Sequence, residues 1–141
     1  MPVSAVVLTF ESPASLGRCL DAIRSQTTPP SSILIVDNGN TEVDLLPGER
    51  LLRLSENLGP AGGYAAGLAS FLESGSAWAW VMDDDCAPEP DALAAQLAEA
   101  DESRVVLGTM IDRDTGAVTN TQGWCGVLIP RPVIASVGVP D

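Results

Sequence analysis

Apolar positions recur along this chain in two rhythms, one of strand type and one of helix type. Val3 to Thr9 is a β-branched, apolar run, the pattern of a strand buried on both faces. Ser12-Pro13 then reads as N-cap and first helical position, and Leu16, Leu20 and Ile23 fall on one helical face before Thr27-Thr28-Pro29-Pro30 stops the helix. Ile33-Leu34-Ile35-Val36 predicts a second buried strand, closed by the turn residues Asp37-Asn38-Gly39-Asn40. Residues 41–50 read as loop, and Leu51 to Leu54 as a short third strand. Asn57-Leu58-Gly59-Pro60-Ala61-Gly62-Gly63 opens a helix of small residues that runs to about Leu72. Residues 77–82 predict a strand, and Pro88 to Ala100 an alanine-rich helix with Leu93 and Leu97 inward. Arg104 to Ile111 follows as a strand, Asp112-Arg113-Asp114-Thr115-Gly116 as a turn, and Val127-Leu128-Ile129 as a last short strand. This alternation predicts an α/β fold, a mostly parallel sheet covered by helices. Val137-Gly138-Val139-Pro140-Asp141 predicts no closing element, so residues 1–141 read as a single domain that is incomplete at its C-terminus.

Charge and cysteine usage narrow the function. The net charge of −12, with no lysine and seven scattered arginines, argues against a nucleic-acid partner, which needs a basic stripe. A phosphate-bearing ligand would have to be neutralised largely by a metal and by backbone N–H groups. No apolar run approaches the roughly 20 residues of a membrane span. The short run after Met1 lacks the basic region of a signal peptide, so a cytoplasmic chain is expected. Cys19, Cys86 and Cys125 are widely spaced, with no C-x-x-C and no histidine in the chain, which argues against structural zinc. Buried, reduced thiols in a reducing compartment are the expectation. Without histidine, a Ser-His or Cys-His nucleophile is excluded within these residues.

The candidate chemistry sits where apolar runs end. Trp78-Ala79-Trp80-Val81-Met82 is cut off by Asp83-Asp84-Asp85, three carboxylates that repel one another unless a cation compensates them. A hard divalent ion with oxygen ligands suits such a cluster. Strand alternation would let Asp83 and Asp85 converge on it while Asp84 faces elsewhere. A solvated acidic turn is the plainer alternative. Thr9 to Glu11 and Asp37 to Asn40 also follow strands, so in a parallel sheet all three clusters would line one edge, where ligands of open sheets bind. Gly59, Gly62 and Gly63 serve either a ligand at a helix N-terminus or close helix–sheet packing, and they do not form a dinucleotide fingerprint.

Taken in order, several segments resemble the N-terminal part of family 2 glycosyltransferases of the GT-A fold. They are Val6-Val7-Leu8-Thr9-Phe10, Ser25-Gln26-Thr27, Ile35-Val36-Asp37-Asn38-Gly39, Asn57 to Gly63, Trp80 to Asp85, Trp124 to Ile129 and Val137 to Asp141. The galactofuranosyl- and rhamnosyltransferase-like branch of actinobacteria is the most similar. The resemblance implies a Rossmann-like three-layer domain that binds a nucleotide-diphosphate sugar, UDP-galactofuranose-like or dTDP-rhamnose-like. It implies inverting transfer to a cell-wall glycan or glycolipid. Thr9, Phe10 and Glu11 would border the nucleobase, Asp37 would hydrogen-bond it, and Asn57 with Gly59 would flank base and ribose. Asp83 and Asp84 would approach ribose and diphosphate. Asp85, with Asp83 sharing, would hold Mg²⁺ or Mn²⁺. Trp124, Cys125 and Gly126 would lie on the donor-sugar and acceptor side.

The catalytic base is expected beyond Asp141, as is a histidine that completes the metal site in many members. The resemblance also allows a location at the inner face of the plasma membrane, with peripheral association of the full-length protein and no transmembrane segment. Self-association through uncovered apolar surface is a further expectation. A nucleotide-sugar-binding module or subunit that needs a partner chain is the alternative to a working enzyme. A haloacid-dehalogenase-type phosphatase fits poorly: Ala87 stands where Thr or Val is expected and the chain has no lysine. An EF-hand calcium loop lacks its spaced ligands and glycine.

Overall fold

A computed structural model describes residues 2–112, 114–119 and 125–138. The elements follow as β1 (Val3–Thr9), α1 (Pro13–Arg24), β2 (Ser32–Asp37), β3 (Glu49–Arg53), α2 (Gly59–Leu72), β4 (Trp78–Asp83), α3 (Ala92–Ala98), β5 (Met110–Ile111), β6 (Val118–Thr119), β7 (Val127–Pro130) and α4 (Arg131–Val137). The main sheet has the order β3-β2-β1-β4-β7, and β5 with β6 forms a separate two-stranded ladder. β1 pairs in parallel with β2 and β4, and β2 with β3, while β7 runs antiparallel to β4. The mostly parallel sheet expected from the apolar runs is therefore present, with β7 as its antiparallel edge.

Alternation along the central strands builds two cores, one on each face of the sheet. Val3, Ala5 and Val7 of β1 join Ile33, Ile35, Trp80 and Met82 on one face, against Leu16, Cys19, Leu20 and Ile23 of α1 and Leu93 of α3. Val6 and Leu8 join Leu34, Val36, Ala79 and Val81 on the other, against Tyr64 and Phe71 of α2 and Ile134 of α4. This is a three-layer arrangement. On the second face helix and sheet approach closely because Gly67 has no side chain. A Cβ there would lie 2.9 Å from both Val36 Cγ2 and Val6 Cγ1.

Four expectations change. The helix placed at 88–100 shortens to Ala92–Ala98, because Pro88 and Pro90 lie before it and keep the chain out of helix. The strand placed at 104–111 is reduced to Met110–Ile111 and two isolated bridges, Arg104 to Asp101 and Val106 to Leu128. Gly108 crosses close to the Cys125 carbonyl there (3.2 Å from a Cβ built on it), and Leu107 is left 71% exposed. After β7 the chain forms α4, where no element was expected; Arg131 at its start donates to the carbonyls of Phe71, Leu72, Ser74 and Ser76 and binds it to the end of α2. Residues 139–141 of the ending lie outside the described residues.

The cysteines are the fourth. Cys86 and Cys125, 39 residues apart in sequence, form a disulfide with Cα atoms 5.5 Å apart, and Cys19 is the free, buried thiol. Antiparallel pairing of β7 with β4, Val127 beside Val81, brings the exit of one strand to the entrance of the other. Sequence spacing does not show that juxtaposition. The thiol count therefore gives no support for a reducing compartment.

Candidate functional site

Register places the three polar clusters together. Thr9 lies beside Asp37, and Leu8 beside Asp83, so the carboxyl ends of β1, β2 and β4 share one edge. The Asp cluster divides among different neighbours there. Asp83, the last residue of β4, faces α2 and accepts a hydrogen bond from the Tyr64 hydroxyl. Alternation does not carry past it, because the Cys86 N–H bonds back to the Asp83 carbonyl (3.2 Å) and the chain turns. Asp84 instead leans on β1: its N–H bonds the Leu8 carbonyl (3.1 Å) and its Oδ2 accepts from Thr9 Oγ1 (2.7 Å). Asp85 is exposed.

Electrostatically the edge is crowded with negative charge. Burial raises the Asp84 pKa above its ordinary value and the Asp85 charge adds to this, against the Thr9 hydrogen bond that lowers it. Burial first, then the charges of Asp84, Asp85 and Asp83, push the Cys19 thiol up to about 12, so it is inert. Among the described residues no arginine pairs with Asp84 or Asp85.

Asp37 behaves differently. It is fully buried, and its two oxygens accept from the N–H groups of Gly39 (3.0 Å) and Thr41 (2.9 Å), the Thr41 hydroxyl (3.0 Å) and Arg53 Nε (3.1 Å). Burial alone would raise its pKa; these donors outweigh it and hold the carboxyl below the usual range. A carboxylate offers about four acceptor positions, and the loop after β2 uses them. Asn38, given no role of its own by the sequence pattern, is buried and bridges two segments: its Oδ1 accepts from the Leu58 N–H (3.1 Å) and its Nδ2 donates to the Gly59 carbonyl (3.0 Å). It thereby fixes the start of α2 against the end of β2. The only sequence signal for it was its place in the turn.

Asn57 is exposed and its Oδ1 accepts from the Gly59 N–H (2.9 Å), a local turn that sets up α2. Gly59 holds φ +71°, a conformation that favours glycine. Gly63 serves packing: a Cβ there would meet Leu8 Cδ1 at 2.4 Å and Asn38 Nδ2 at 2.9 Å. Beyond β1, Phe10 is 48% exposed, and Glu11 is the sole non-glycine residue at positive φ (+47°) among the described residues. Its N–H donates to Thr41 Oγ1 (3.1 Å), which ties it to the Asp37 loop.

The other side of the edge is carried by Cys125 and Gly126; Trp124 lies outside the described residues. Besides the disulfide to Cys86, directly after the Asp cluster, a second tether holds this segment. Gln96 of α3, buried, accepts from Trp80 Nε1 (2.8 Å) and donates to the carbonyls of Gly126 (2.5 Å) and Val106 (3.1 Å). Gly126 sits at φ +69°.

A cavity of about 210 Å³, lined by Arg24, Pro29, Pro30, Leu46 and Pro47 among others, lies at the opposite end of the sheet. Charge and polar groups converge instead at the carboxyl edge, where Phe10 and Asp85 are exposed. No group of three or more His, Cys, Asp or Glu suited to a metal is found among the described residues. A Mg²⁺-type site needs only one or two carboxylates completed by ligand phosphates and water, and Asp84 and Asp85 are carboxylates at this edge that could contribute to one.

Residues 4–133 match the family described as Glycosyl transferase family 2. The chain is 38% identical over 109 residues to the galactofuranosyltransferase GlfT1 of Mycobacterium tuberculosis, covering 71% of this chain and 36% of the relative. It is 36% identical over 101 residues to GlfT1 of Mycolicibacterium smegmatis, covering 67% and 33%. It thus spans about a third of the length of the curated relatives it matches. Among solved structures it is similar to S. aureus TarS 1–349 in complex with UDP-GlcNAc (TM-score 0.58, 19% identity, 70% of this chain and 30% of that one). It is also similar to the mannosyltransferase PcManGT of Pyrobaculum calidifontis in complex with GDP-Man and Mn2+ (TM-score 0.53, 21% identity, 67% and 31%). No described helix is long and apolar enough to cross a membrane. With the GT-A arrangement of its sheet and a match running through nearly all of its length, the chain belongs to glycosyl transferase family 2.

Proposed function

We propose that this chain is the donor-binding part of an inverting glycosyltransferase that takes a nucleotide-diphosphate sugar together with Mg²⁺ or Mn²⁺. The observation that carries it is the crowding of Asp84 and Asp85 beside Asp83, with no arginine partnering Asp84 or Asp85 among the described residues, at the edge where β1, β2 and β4 end. UDP-galactofuranose is the favoured donor because the relatives of 36–38% identity are galactofuranosyltransferases; a dTDP-rhamnose-like donor is the second choice. A cell-wall glycan or glycolipid is the proposed acceptor.

In this reading the exposed ring of Phe10 stacks on the base, with Thr9 and Glu11 at its border. Asp37 contributes chiefly by shaping the loop that faces the base, since the loop already occupies its oxygens. Asn57 and Gly59 flank base and ribose at the start of α2, whose helix dipole favours an anionic ligand. Asp83 and Asp84 approach ribose and diphosphate, and Asp85 with Asp83 would hold the cation. Bound there, the cation would act as a Lewis acid on the departing diphosphate. Cys125 and Gly126, tethered by Cys86 and Gln96, border the sugar and the acceptor entrance, as would Trp124. Inversion requires a base on the acceptor hydroxyl, which we place beyond Asp141.

Calorimetric titration with UDP, with and without Mn²⁺, on the native chain and on Asp85→Ala tests this. Binding should require Mn²⁺ and be lost in the variant. A folded chain that binds neither UDP nor dTDP, or binds them regardless of metal and variant, overturns it.

A further inference from the structure

Helix α2 reaches the candidate site at two points, and only one belongs to its N-terminus. A full turn inside the helix, Tyr64 is buried among Leu8, Val36, Val81 and Phe71, and its hydroxyl donates to Oδ1 of Asp83 at the end of β4. The flanking glycine makes this reach feasible. With a side chain at Gly63 or Gly67 the helix could not sit this close to β1 and β2, since the added Cβ atoms would fall 2.4–2.9 Å from Leu8, Val6 and Val36. The Asn38 bonds to Leu58 and Gly59 fix the helix along its axis. The phenol is thus carried on a rigid element and aimed at one carboxylate.

We propose that Tyr64 is a positioning residue of the donor site: its buried hydroxyl holds the Asp83 carboxylate in the orientation that Mn²⁺-dependent nucleotide binding requires. This rests on the donor-site reading above. It gives α2 two tasks, presenting its N-terminus to the nucleotide and setting a carboxylate on the cation side, so the two halves of the site are registered by one helix.

Tyr64 is the chain's single tyrosine, which makes it directly observable. The Raman Fermi doublet of the native chain should report a phenol that donates strongly, and Asp83→Asn should shift it toward the ratio of a weaker donor; an unchanged doublet overturns the contact whatever the chain binds. The second arm is Tyr64→Phe, which removes one oxygen and keeps the ring. Its Mn²⁺-dependent affinity for UDP should fall about tenfold, while its affinity for metal-free uridine stays at the native value. Loss of both affinities in parallel would mark the hydroxyl as a general structural contact only, and an unchanged UDP affinity would remove the positioning role; each overturns the inference alone. A native chain that binds no UDP at all overturns the donor-site reading first, and this inference with it.

Discussion

Arg53 of β3 and Asp37 of β2 are register partners across the sheet, and Arg53 Nε donates to Asp37 Oδ2 at 3.1 Å. The carboxylate is fully buried while the guanidinium is 43% exposed, so the pair brings charge compensation in from solvent to a group that burial would otherwise neutralise. Arg53 also donates through Nη2 to the Thr41 carbonyl (2.5 Å), which closes the loop over Asp37. Arg53→Leu should therefore destabilise the chain by about 1.5–3 kcal/mol, the range for a hydrogen bond to a charged group. Arg53→Lys should recover part of this. Urea unfolding of the two variants is the check, and equal midpoints for native and Arg53→Leu would show that the pair contributes nothing net.

The same pair sets an acid response. Asp37 titrates below its ordinary value, as does Glu49, for which the Arg24 hydrogen bonds are the largest cause. A carboxylate with a depressed folded-state pKa contributes stability that is fully present above its unfolded pKa and is lost as pH falls through the folded one. The urea midpoint should thus hold above about pH 5 and fall steadily below about pH 4. In Asp37→Asn the chain should start less stable at pH 7 and lose less on acidification. A steeper acid loss in that variant would contradict the assignment.

Which parts of this were legible in the sequence follows from what each feature depends on. β1, β2 and β4 are buried on both faces, so their apolar runs appear in composition alone, and their parallel pairing places Thr9, Asp37 and Asp83 along one edge. Local pattern could not show where each carboxylate would turn. Asp83 goes to Tyr64 and Asp84 to Thr9 because the chain leaves strand geometry after Asp83, a choice set by the turn into Cys86. Nor does spacing reveal Gln96 or the Cys86–Cys125 bond, which depend on β7 returning antiparallel beside β4. The run at 104–109 illustrates the converse: Val105, Val106 and Leu107 have strand propensity, but a single bridge to Leu128 is all the pairing they find among the described residues.

Gly67 tests whether helix–sheet distance is a constraint of the site. Its Cβ would lie 2.9 Å from branched side chains on two different strands, Val6 and Val36, which are fully buried and cannot swing away. Gly67→Ala gains helix propensity, about 1 kcal/mol, yet overpacking should outweigh it and leave a net loss of about 1–2 kcal/mol. Gly17→Ala on α1, where a Cβ meets nothing within 4 Å, is the matched control and should stabilise. If both substitutions stabilise alike, α2 is not held at the sheet by these contacts.

The disulfide gives a prediction with two independent readouts. Cys86 leaves the Asp cluster and Cys125 enters the Gly126 segment, so the bond closes a loop between residues 39 apart. By the chain-entropy relation a loop of that size is worth up to about 4 kcal/mol, with typical measured values of about 2–4 kcal/mol. Unfolding in the presence of a dithiol reductant should lower the urea midpoint accordingly, and Cys86→Ser with Cys125→Ser should reproduce the shift without reductant. Thiol counting separates this from a general effect of reduction. Cys19 is buried and its thiol is held up to about 12, so the folded, unreduced chain should react with alkylating reagent at no cysteine. In denaturant it should react at one, and after reduction at three. Three reactive thiols in denaturant without reductant would mean that the bond does not form, and the Cys125–Gly126 segment would then be held to the carboxyl edge of the sheet by Gln96 and its β7 pairing.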